Sequence, residues 1–69
     1  MTEEIARRIK EARIAAGYTQ KGLGLALGYE EITAESSVSR WERNLRPVPL
    51  DKLRKLAEVL GLTLDELIP

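Results

Sequence analysis

Sixty-nine residues make one small domain, expected over residues 1–69, with no second compartment for a cofactor. Eleven Lys and Arg balance eleven Asp and Glu, so no global field draws the chain toward nucleic acid or a membrane surface. Neither Cys nor His is present, which excludes disulfides, zinc sites of the Cys/His type, thiol chemistry and imidazole acid–base catalysis.

An apolar fraction of 43% beside 32% charged residues is that of a folded chain, not a disordered one. No apolar run approaches the roughly 20 residues of a membrane span, and the basic-then-apolar layout of a signal peptide is missing. The expectation is a soluble, cytoplasmic protein with no membrane contact, no metal and no cofactor. Phe is absent, and Trp41, Tyr18 and Tyr29 are the only aromatics. Leu, Ile, Val and Ala must therefore fill a thin core, which favours helices packed closely over small residues.

The first helix is predicted from Thr2 to about Ala16. Ile5, Ile9, Ala12 and Ala16 recur at spacings of four, three and four, which is one helical face. Thr2 can cap it, Glu3 and Glu4 suit its positive end, and Glu4/Arg8 is one of its charge pairs on the wet side. Gly17 stands where a left-handed residue ends a helix. Thr19 opens a shorter second helix that runs to Gly28, with Leu23 and Leu27 as its apolar stripe. Gly22 and Gly24 lie inside it, each costing up to about 1 kcal/mol relative to Ala. Close approach of another helix accounts for Gly24; nothing in the sequence accounts for Gly22.

Residues 29–33 (Tyr-Glu-Glu-Ile-Thr) read as a loop. A third helix follows from Ala34 to Arg43, with Val38 and Trp41 on its inner face. The stretch from Asn44 to Pro49 breaks helix, and Asn44 can take the left-handed cap. Pro49 fits the first turn of a fourth helix, in which Leu50, Leu53, Leu56, Ala57 and Leu60 keep the period and Gly61 closes. Thr63-Leu64-Asp65-Glu66 has the pattern of a capping box and starts a short fifth helix through Ile68. Nothing alternates like a strand, so the fold is expected to be all-α, with five helices.

Three runs carry a resemblance. They are Thr19-Gln20-Lys21-Gly22-Leu23-Gly24-Leu25-Ala26-Leu27-Gly28, then Val38-Ser39-Arg40-Trp41-Glu42-Arg43-Asn44, then Pro49-Leu50 through Leu53, Leu56-Ala57 and Leu60-Gly61. In that order they resemble the lambda-repressor-like (Cro/cI, XRE-type) helix-turn-helix family, over nearly the whole chain. The resemblance implies a compact domain whose helices 2 and 3 form the helix-turn-helix, with helix 3 pressed into the major groove of double-stranded DNA. Gly24 stands where the family usually has Ala, and Leu23, Leu27, Val38 and Trp41 lock the two helices as core.

The resemblance also assigns roles. Gln20 reaches a phosphate and supports a neighbouring base contact. The recognition helix presents Ala34, Glu35, Ser36, Ser37, Ser39 and Arg40 outward, with Glu35, Ser36 and Ser37 toward base edges. Serine hydroxyls serve several bases, Glu35 can accept from cytosine, and Arg40 can grip guanine or a phosphate. Arg43, Asn44 and Arg46 follow along the sugar–phosphate backbone, in the one dense basic patch of the chain; Lys21, Arg7 and Lys10 are lesser backbone candidates. Arg13 is expected to pair with Glu42 and fix helix 1 against helix 3.

The chain departs from the family in three places. The connection between the motif helices is about four residues longer, with Glu30, Glu31, Ile32 and Thr33 as the extras; these either lengthen the loop or pre-wind the recognition helix. Asn44 replaces a frequent Gly, and Leu25 stands where a polar residue is usual. The function expected is that of a non-enzymatic transcription regulator, a repressor that binds a palindromic site as a homodimer. Helix 5 with Leu62, Leu64, Leu67 and Ile68 is the candidate dimer surface, although Leu64 and Leu67 also suit the core. The alternative is a protein-interaction module on the same fold, antitoxin-like, with little or no DNA binding.

Overall fold

The capping hydroxyls start the helices where the sequence places them. Ile5 N–H donates to Thr2 Oγ1, Gly22 N–H to Thr19 Oγ1, and Glu66 N–H to Thr63 Oγ1. The computed structural model describes residues 1–68, so the last residue of the expected domain, Pro69, lies outside the described residues. These residues form five helices and no strand: α1 (Glu3–Ala15), α2 (Gln20–Ala26), α3 (Glu31–Glu42), α4 (Leu50–Leu60) and α5 (Leu64–Leu67). The all-α, five-helix expectation therefore holds.

α2 packs chiefly on α3, α1 packs on α3 and α5, and α4 packs on α5. Each contributes to one core. Ile9 enters from α1, Leu23 and Leu27 from α2, Val38 and Trp41 from α3, Leu56 and Leu60 from α4, and Leu67 from α5. Val48, in the segment between α3 and α4, closes it. The rings of Tyr29 and Trp41 meet tilted at 59° with centroids 5.8 Å apart, and Lys52 Nζ lies 5.1 Å from the Tyr29 ring centre. The connection from α2 to α3 is thereby tied to the last turn of α3 by an aromatic contact and to α4 by a cation–π contact.

The start of the third helix differs from the loop reading of residues 29–33 and takes the other alternative, a pre-wound first turn. It begins at Glu31, not at Ala34, so only Leu27, Gly28, Tyr29 and Glu30 separate it from the end of α2. The extra residues wind into helix because Thr33 and Ala34 both donate their backbone N–H to the Glu30 carbonyl. Glu30 is the N-cap but makes no side-chain capping bond. Helix-start signals therefore do not mark the position in the sequence. Leu50 also departs: it is 87% exposed and outside the core despite keeping the apolar period of α4.

The lengthened α3 explains Gly24. A Cβ built there would lie 2.7 Å from Ala34 Cα and closer still to the Ala34 carbonyl oxygen. Even Ala is too large beneath a backbone at that distance. The structure gives no comparable reason for Gly22: the equivalent positions behind the Thr2 and Thr63 caps are Ile5 and Glu66, which carry a Cβ. Both ends of α3 are shaped by left-handed residues, Gly28 before it (φ 94°) and Asn44 after it (φ 56°). At each, the next residue reaches back across the helix end, Tyr29 N–H to Gly24 O and Leu45 N–H to Arg40 O, in the Schellman pattern.

Two outcomes follow. Gly24→Ala would add about 1 kcal/mol if propensity alone decided. The steric conflict with Ala34 opposes this with an overpacking cost of about 1–3 kcal/mol. The urea midpoint is therefore expected to fall; a rise would refute the close crossing. The second concerns the capping box of α5. Hydrogen bonds from the backbone and hydroxyl of Thr63 hold the Glu66 carboxyl below its ordinary value. A carboxyl lowered on folding stabilises above its unfolded-state pKa, and this is lost as pH falls through the lower folded-state value. Glu66→Gln, which removes the titrating group, should therefore weaken the pH dependence of the melting temperature across that acid window; an identical profile would show that the carboxyl adds nothing there.

Candidate nucleic-acid interface

α3 is held at two points, and what remains free between them is its outer face. Ala34, Val38 and Trp41 are turned inward, exposed by 0%, 0% and 3%. With 3.6 residues per turn, the opposite face carries Ile32, Ser36, Ser39, Arg40 and Arg43. Ala34 was expected on this outer face; it is instead the point where α3 crosses Gly24. Glu35 and Arg40 are exposed, and Ser36 and Ser39 are half-buried. Ser36 Oγ donates to the Thr33 carbonyl at 3.2 Å, which leaves its lone pairs able to accept. Ser37 lies off the outer face, half-buried in a cleft shared with Tyr29, Trp41, Arg40 and Arg46.

Glu42 anchors the C-terminal end of the helix. Arg13 Nε donates to Glu42 Oε2 at 2.6 Å and Arg13 Nη2 to Oε1 at 3.2 Å. The third arm, Nη1, donates to the Tyr18 carbonyl at 2.8 Å. The two side chains are only 11% and 2% exposed. This two-pronged pair joins α1 to α3, as the resemblance implied. Gln20 adds its Nε2, which donates to Glu42 Oε1 at 3.1 Å, so one of its amide hydrogens is engaged and the other is not.

At the opposite end of α3, Lys21 Nζ lies 2.7 Å from Glu31 Oε1. The hydrogen bond and charge of Glu31 raise the Lys21 pKa, and the same contact with Lys21 holds the Glu31 carboxyl below its ordinary range. Both side chains are exposed, and such pairs add little stability.

Arg43, Asn44 and Arg46 follow α3 and are all exposed. Among the described residues, the ion pairs are Arg8–Glu4, Arg13–Glu42 and Lys21–Glu31, so Arg40, Arg43 and Arg46 carry unpaired charge. Arg43 and Asn44 also share a groove with Arg7 and Lys10 of α1, which Glu3 and Glu4 line as well. The structure thus gathers the arginines with the two lesser α1 candidates, while Lys21 sits at the far end of the helix, by Glu31. Sequence reasoning missed Ile32, because residues 29–33 read as loop and a loop has no face.

Among the described residues, no group of three or more Asp or Glu is placed to hold a metal, and no helix is long and apolar enough to cross a membrane. A helix-turn-helix family model matches residues 9–67. The chain belongs to the XRE/lambda-repressor-like helix-turn-helix family, a family of DNA-binding transcription regulators. No curated protein matches the chain, and no solved structure does.

The buried pair gives a direct test. Breaking one partner of a buried ion pair costs roughly 3–5 kcal/mol, because the other charge is left without compensation. Glu42→Ala should unfold at a urea concentration lower by the equivalent of about 3 kcal/mol. An unchanged midpoint would show that the contact does not brace α1 on α3.

Proposed function

We propose that the chain is a repressor of the phage-repressor type, which lays α3 in the major groove of operator DNA and occludes a promoter. One observation carries this reading: three unpaired arginines, Arg40, Arg43 and Arg46, cluster where an exposed helix face ends. Glu35, Ser36, Ser39 and Arg40 are the base-reading set, without Ser37, which lies off the outer face. Serines and a glutamate are short-armed, so they discriminate bases only when the helix is held close to the groove floor. Arg43, Asn44 and Arg46 run along the phosphates, with Gln20 donating its second amide hydrogen and Lys21 reaching a phosphate with a second N–H of the ammonium that holds Glu31.

The functional unit is a homodimer with recognition helices about 34 Å apart on a palindrome. The α5 region supplies the dimer surface through Leu64, which is 42% exposed, with half-buried Leu62 and Ile68 beside it. Leu67 is excluded from that surface because it is fully buried in the core. A second reading, a protein-interaction module, draws on the exposed acids Glu30, Glu31 and Glu35 near the reading face.

Selection of bound sequences from random duplexes tests the proposal. The expected result is a palindrome with half-sites about one helical turn apart. Arg40→Ala should relax the preference at one base pair, whereas Arg43→Ala should weaken all duplexes alike and reduce the slope of log K against log salt by about 1. No duplex affinity at low salt would overturn DNA binding and leave the protein-interaction reading.

A further inference from the structure

We infer that Ile32, on the added first turn of α3, is a specificity-determining residue that reads the C5-methyl group of a thymine. The inference rests on the DNA-binding reading above and extends it to a base and an atom. Ile32 is 90% exposed, more than any other large hydrophobic side chain among the described residues. It stands one turn before Ser36 and eight residues before Arg40, on the face opposite Ala34, Val38 and Trp41. An apolar side chain has no bond to offer a phosphate or a base amide. What a major groove presents to it is the thymine methyl.

The turn that carries Ile32 is secured on both flanks. Glu31 is tied to Lys21 of α2 at 2.7 Å, and Thr33 Oγ1 donates to the Glu30 carbonyl at 3.3 Å. Two residues further on, Ala34 rests on Gly24 at a distance that admits no Cβ. Ile32 is thus presented by an anchored helix rather than by a loop, and its contact with a base does not require ordering a segment. Eight residues of helix place it about 12 Å from Arg40 along the axis. A helix beginning at Ala34 would not reach the base pairs at that end. The neighbours fit the same role: Glu31 is occupied by Lys21, and Glu35 can accept from a cytosine but cannot compete for a methyl group.

Replacing thymine by uracil removes the methyl and nothing else. The operator obtained by selection is resynthesised with uracil at each thymine in turn, and each duplex is titrated with wild type and with Ile32→Ala. Wild type is expected to lose about fourfold in affinity at one thymine per half-site, the value of one buried methyl-sized group. Ile32→Ala should bind the thymine and uracil duplexes equally at that position, with the salt slope of wild type because no phosphate contact is removed. The same thymine-to-uracil ratio in both proteins at every position would overturn the inference, as would the lack of any methyl-sensitive thymine. A wild type that binds no duplex at all would instead remove the DNA-binding reading, and this inference with it.

Discussion

Two helices can approach only as closely as the residues between them permit, and here the spacing between α2 and α3 is set by one missing side chain. Gly24 lets the Ala34 backbone settle directly on α2. That contact fixes one point of α3. The second is Glu42, held by Arg13 from α1 and Gln20 from α2. The two points are eight residues apart, about 12 Å along the helix. Pinned at both, the axis has little freedom to tilt, and the direction of its outer face follows. The orientation of the outer face is thus a consequence of packing on the opposite side.

The two pins differ in kind. The Gly24–Ala34 crossing is steric and independent of pH and salt. The Arg13–Glu42 pair is electrostatic, and its burial shields it from screening. Replacing such a pair with apolar side chains can leave a protein as stable as before, so its net stabilisation is modest. What it excludes is a different seating of α1, because any other seating leaves a charge buried and alone. Small domains have little apolar area with which to discriminate among packings, and a directional bond supplies what the thin core does not.

Most of the architecture could be read from the residues, because the punctuation is local and chemical. Thr2, Thr19 and Thr63 start helices through hydroxyl caps, Gly17, Gly61 and Asn44 end them in left-handed geometry, and Glu66 completes a capping box. The start of α3 could not be read this way, because its cap is Glu30, which makes no side-chain bond, while Thr33, a residue that commonly caps, lies inside the helix. The misplaced start cost the sequence reading two facts at once: the inward position of Ala34 and the outward position of Ile32. Leu50 shows the converse limit. It keeps the apolar period of α4, yet its side chain is left in solvent, so periodicity named a face without saying how far the core extends. For the candidate site, the arginine cluster was visible as composition. That its charges are unpaired, and that Lys21 is held by Glu31, depends on distances no sequence gives.

The balanced charge of the whole chain is therefore a poor guide to what its outer face presents. Glu42 is buried against Arg13, Glu4 faces Arg8, Glu31 faces Lys21 and Glu66 closes the cap of α5. These acids are matched within their own surroundings. Arg40, Arg43 and Arg46 are not, and they lie within a few residues of one another on and after one helix. Since screening confines an exposed charge to about 8 Å at physiological salt, a phosphate near these arginines feels them far more than it feels the sum over the molecule. The unmatched acids Glu30 and Glu35 lie toward the other end of α3. With the helix in a groove, they would meet base edges instead of the backbone. In the DNA-binding reading proposed above, the separation along a single helix, basic at its exit and acidic with one exposed isoleucine at its entry, is what would let a neutral chain bind a polyanion while keeping the entry for discrimination.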